Sequence, residues 1–154
     1  MNHDDAADPH DLARFVIAQE GCHERALAEL RAGAKRSHWM WYVFPQLAGL
    51  GHSSTARRYA IQSVEEAAAY LRHPVLGPRL VACCEAVLGV RGRTASDILG
   101  SPDDLKLRSC ATLFAAVSEP GSVFDQVIDT YYQGTRDPMT LRLLGIEPGP
   151  GGTT

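Results

Sequence analysis

The sequence lacks the features that would place it in several large classes of protein. No apolar run in its 154 residues approaches the roughly 20 needed to cross a bilayer, so no membrane partner is expected. The four cysteines, Cys22, Cys83, Cys84 and Cys110, show no CxxC spacing and have no close histidine pair, so no metal site is expected. Cys83 and Cys84 adjoin each other in VACCEAV, which reads as helix, where neighbouring side chains diverge by about 100°. Buried free thiols are the expectation. No glycine fingerprint follows a strand, and no cofactor is expected. The opening MNHDDAADPHD has neither a basic n-region nor an apolar h-region, so it does not read as a signal peptide and the expected location is the cytoplasm.

A large excess of one charge is missing as well. The net charge is −3, and Asp4, Asp5, Asp8 and Asp11 account for much of it. Between Leu12 and Ile146 there are 15 basic and 13 acidic residues, a near-neutral balance that makes no electrostatic case for binding bulk nucleic acid. Thirteen of the 15 basic residues are arginine. That bias suits carboxylate or phosphate recognition, but in a chain this rich in alanine and glycine a GC-rich genome explains it more simply.

What is present describes an ordinary globular protein, 45% hydrophobic and 21% charged, of a length that suits one domain burying roughly 70% of its unfolded surface. Helical periodicity recurs along nearly all of it. Asp11 is placed to cap a helix carrying Leu12, Phe15 and Val16, and HERALAELRAG carries Ala26, Leu27 and Leu30 on one face with Gly33 to end it. Ser63 with Glu66 and Thr94 with Asp97 begin further helices. Ser101-Pro102-Asp103-Asp104 reads as a helix start with a cap hydroxyl, a proline and two carboxylates against the dipole. The expected fold is all-α: a compact single domain of about eight short helices over residues 11–145. A flexible acidic segment, 1–10, and a disordered Pro/Gly-rich tail, 146–154, flank it.

Two stretches carry the residues from which chemistry is expected. SHWMWYVFPQLAGLGHSS holds both tryptophans, and its five large side chains cannot all enter one core face. A core anchor, or the wall of a pocket, are the two readings. Trp39 or Trp41 is placed to stack on a flat ligand, with Gln46, Ser53 and Ser54 to orient it and Arg57 to neutralise its charge. The glycines allow close backbone approach there. In DDLKLRSCATLF, Asp103 and Asp104 are helix-dipole partners or an acid–base pair, and Lys106, Ser109 and Thr112 form a polar seam. If the protein is an enzyme, the expectation is hydrolysis of an N-glycosidic bond, with Asp103 or Asp104 activating water and Lys106 or His38 assisting. The expected partner is a small, nucleotide-like, phosphate-bearing molecule. A non-catalytic module that binds another protein is the alternative, and it expects an exposed aromatic patch.

The stretches LARFVIAQE, HWMWYVFPQLAGLGHSS, YAIQSVEEAAAYLRHPVLGPRL and PDDLKLRSCATLFAAV, followed by YYQG and DPMTL, resemble a bacterial family catalogued as domain of unknown function 1810. The resemblance covers roughly residues 11–145. It implies a mostly helical single domain and supplies no established activity. Genomes sometimes label the family "calpastatin", but calpain inhibitors are long, disordered and repetitive, and this chain is none of these. A fainter similarity is to the NADAR superfamily of small helical proteins, linked to ADP-ribose-type derivatives and N-glycosidic cleavage. It aligns no motif residue by residue and implies only a nucleotide-like ligand.

Overall fold

A computed structural model of the chain describes residues 8–146, and the expectations for 1–7 and 147–154 lie outside the described residues. Among the described residues ten helices follow one another: α1 (Ala13–Glu20), α2 (His23–Ala32), α3 (Met40–Val43), α4 (Ser54–Arg58), α5 (Val64–Arg72), α6 (Leu76–Leu88), α7 (Ala95–Leu99), α8 (Asp103–Ala115), α9 (Val123–Tyr132) and α10 (Pro138–Leu144). Among the described residues there is no strand, only one isolated parallel bridge between Leu47 and Ile61. The number exceeds the eight or so expected, and one of the additions is α3, a single turn made from the aromatic run, whose large residues fit helical and extended periods equally well.

The fold is built around α6 and α8. Helices α2, α5 and α9 pack on α6, while α5, α7, α9 and α10 pack on α8. From Leu107 to Phe114 every residue of α8 except Arg108 is buried, as a helix in the middle of a domain must be. Ser109 and Thr112 tolerate this by donating to the carbonyls of Leu105 and Arg108 one turn back, at 3.2 and 2.8 Å. They are therefore interior groups and not part of an exposed seam. The first turn of α8, with Asp103, Asp104 and Lys106, reaches out of the core, as does Arg108 one turn on.

Helix ends follow local hydrogen-bond chemistry, with two departures from expectation. Thr94 and Asp97 form a complete capping box, and Ser63 accepts from the Glu66 N–H while the Glu66 carboxylate accepts from Gln62. Asp11, however, does not cap α1. It adopts a φ of 53°, and the Asp8 carboxylate takes the Leu12 and Ala13 N–H groups at 2.7 and 2.9 Å. Ser101 does not cap α8 either, because the Gly100 carbonyl receives the Asp104 N–H and the Pro102 carbonyl those of Leu105 and Lys106. His73 caps α6 through Nδ1, which accepts from Val75 and Leu76. No helix among the described residues is long and apolar enough to cross a membrane.

Candidate functional site

The loop between α2 and α3, residues 33–39, has no regular secondary structure, yet it is tightly held. Glu29, in the last turns of α2, receives four hydrogen bonds from it: the N–H groups of Arg36 and Ser37 at 2.8 and 3.0 Å, the Ser37 hydroxyl at 2.6 Å and the Trp39 indole N–H at 2.9 Å. Three of them end on Oε1 and one on Oε2, so both carboxylate oxygens are engaged. Burial works to raise its pKa, but the four donors, the Ser37 hydroxyl foremost, bring it down to about 2. On the far side of the loop the Lys35 N–H bonds to the Ile98 carbonyl at 2.7 Å, tying it to the end of α7 just before α8 begins.

These anchors bring Lys35 to the start of α8. Its ammonium lies 3.0 Å from one oxygen of Asp103, and Lys106 lies 3.0 Å from the other. Each ammonium also sits over an indole: Lys35 is 5.2 Å from the centre of the Trp39 ring and Lys106 is 4.3 Å from that of Trp41, within cation–π range. The contacts run Trp39, Lys35, Asp103, Lys106, Trp41 without a gap. They involve both tryptophans and both lysines of the chain. The side chains are largely withdrawn from solvent, at 9% for Lys35, 18% for Asp103 and 23% for Lys106. Burial raises the Asp103 pKa, and hydrogen bonds from Lys35 and Lys106 more than reverse it, leaving the group below its usual value. Two ammonium groups against one carboxylate leave a charge of +1.

That cluster borders a cleft of about 320 Å³, lined also by His38, Met40, Tyr42, Ser53 and Thr55. The loop on its other side approaches closely. A Cβ on Gly51 would lie 2.6 Å from that of Ala56 and 2.9 Å from Cη2 of Trp41, so only glycine fits there. Trp39 is 1% exposed and serves as a core anchor, whereas Trp41 is half-buried in the wall. A wider groove of about 700 Å³ lies between α1 and α5. Its Asp8 carboxylate and His73 Nδ1 are committed to helix caps, and no ion pair among the described residues lies in it. The smaller cleft is the one with convergent charge.

Six of the ten residues singled out in the sequence meet in this cleft: Asp103, Lys106, His38, Trp39, Trp41 and Ser53. Four do not line it. Ser54 and Arg57 are exposed on α4. Gln46 is buried, with Nε2 lacking a partner among the described residues, while its backbone carbonyl accepts from the Ile61 N–H. Asp104 turns away from Asp103: its Oδ1 is buried without a partner among the described residues, and its backbone carbonyl accepts from the Tyr132 hydroxyl. Conversely Lys35, Glu29, Tyr42 and Thr55 did not stand out as site residues. The scarcity of lysine in a chain with thirteen arginines was a usable signal for Lys35. Among the described residues no three His, Cys, Asp or Glu side chains converge as a metal ion would need.

No curated protein matches this chain. Among solved structures it is similar to the conserved hypothetical protein Rv1873 from Mycobacterium tuberculosis, with 51% identity and a TM-score of 0.88 over 91% of this chain and 100% of that one. The match at the level of families extends over residues 9–144, which spans the whole cleft and every helix around it. The chain belongs to the family described as protein of unknown function DUF1810.

Proposed function

We propose that the protein binds a small phosphate-bearing metabolite in the cleft between α3, α4 and the start of α8, and that it does so in the cytoplasm. The observation that carries this reading is the pair of lysines on one aspartate. Holding two ammonium groups within hydrogen-bond distance of a single carboxylate leaves spare N–H donors and a net positive charge on the wall of the cleft. Stability alone does not need such an arrangement, because partly buried ion pairs contribute little net free energy. Four free cysteines, three of them buried, suit a reducing compartment.

The hydrolytic extension of this reading gives water activation to Asp103, the one of the two aspartates that lines the cleft, with Lys106 and His38 assisting. Its lowered pKa makes it a weak base, so binding is the better supported half. The alternative, a protein-binding module, expects exposed aromatics. No Trp, Tyr or Phe is among the exposed large hydrophobic residues of the described chain, which speaks for the cleft.

The test is a thermal-shift screen of the purified protein against nucleotides, ADP-ribose, sugar phosphates and inorganic phosphate. A compound at 100 times its dissociation constant adds about 2.7 kcal/mol. The binding of any hit should weaken about ten- to a hundredfold in Lys35→Met or Lys106→Met, the loss of one charged hydrogen-bond donor, and stay unchanged in Arg57→Ala. An unchanged affinity in both lysine variants would sink the assignment.

A further inference from the structure

We infer that the ligand is a phosphorylated sugar, recognised through its phosphate and its hydroxyls with no ring stacked on tryptophan. This rests on the phosphate-binding reading above and narrows its class. A nucleobase is held by lying flat on an open aromatic face, and each ring of this cleft is either buried or already in contact with another group. Trp39 is almost fully buried. Trp41 has the Lys106 ammonium over its ring and Gly51 close against its edge. Tyr42, the remaining ring of the wall, is packed against Tyr59 with centroids 4.9 Å apart and planes at 69°. The tryptophans position the lysines instead of receiving a ligand.

The rest of the wall suits a sugar. Ser53 accepts the Ala56 N–H at 3.0 Å and keeps its own O–H to donate. The Thr55 hydroxyl and the His38 ring lie exposed at the rim and make no hydrogen bond among the described residues. These are neutral, directional groups that match alcohols better than an apolar heterocycle. The volume of about 320 Å³ lies at the small end of ligand pockets, which run from roughly 300 to 1,000 Å³.

Calorimetric titration of the intact protein with ribose, ribose 5-phosphate, adenosine, adenosine 5′-monophosphate and inorganic phosphate separates the possibilities. The expected result is that ribose 5-phosphate binds at least about tenfold more tightly than ribose, and that adding adenine to it gains less than about tenfold, well short of a stacked base. Thr55→Val, which leaves every helix cap intact, should weaken ribose 5-phosphate several-fold and leave inorganic phosphate unaffected, consistent with the loss of about one neutral hydrogen bond. Adenosine 5′-monophosphate binding more than about tenfold tighter than ribose 5-phosphate, or inorganic phosphate as tightly as ribose 5-phosphate, would overturn the sugar assignment and leave the phosphate site standing. If none of the three phosphate-bearing probes binds, the phosphate reading itself falls.

Discussion

Glu29 shows how much a single carboxylate can organise. It touches neither lysine, yet its four hydrogen bonds shape the loop that carries Lys35 and Trp39. Its pKa in the folded protein, about 2, lies below the ordinary 4.5. A depressed carboxyl contributes stability that is present above the unfolded value and lost as pH falls through the folded one. Glu29→Gln should cost about 2 kcal/mol at neutral pH, the order of a charged hydrogen bond. In urea titrations the gap between variant and wild type should then narrow from pH 4.5 towards pH 2; a gap that stays constant across this window would contradict the role of the ionised group. Asp103 and Lys106 were visible in the sequence because unusual polar types crowd one helix start. Which of two adjacent aspartates faces the cleft was not, since a helix turns each residue about 100° from the last and burial decides which side is in. Lys35 was hidden for another reason: its partner belongs to a distant element, and one residue next to an arginine carries no local pattern.

At the scale of elements, the site depends on short pieces meeting under tight clearance. The α3 turn presents Trp41, and the glycine loop before α4 closes against it. Gly51→Ala would force its Cβ into Ala56 and the Trp41 ring, at 2.6 and 2.9 Å. Overpacking of this kind costs roughly 1–3 kcal/mol. The prediction is a moderate fall in melting temperature together with weaker binding of inorganic phosphate; unaltered phosphate affinity would mean that Trp41 does not position Lys106. Most helices were legible from apolar spacing and capping residues, because those signals act within one turn. The failures at Asp11 and Ser101 arose where a backbone carbonyl or a more distant side chain reached the free N–H groups first. The α3 turn could not be read as helix or strand because its residues are large at every position.

At the scale of the whole molecule, α8 joins the cleft to the core. Its first turn holds the Asp103 cluster, and its last buries Phe114 between Tyr70 and Phe124, with ring centres 5.3 and 5.7 Å away. Phe114→Ala should cost about 3–5 kcal/mol and lower the melting temperature by roughly 10 °C in calorimetry. A shift of only a degree or two would show that the surrounding helices close around the gap. The all-α class was readable over most of the chain, whereas the way α6 and α8 organise the other helices depends on contacts between elements that no local pattern encodes. The pairing of the two indoles with the two ammonium groups has a spectroscopic consequence. The chain has no tryptophan elsewhere, so all of the protein's tryptophan fluorescence is emitted from one wall of one cleft. Both indoles lie beneath an ammonium, but only Trp39 also gives its N–H to a carboxylate, so the two emitters feel different local fields. Occupation of the cleft is thus written into the emission spectrum of the unlabelled protein.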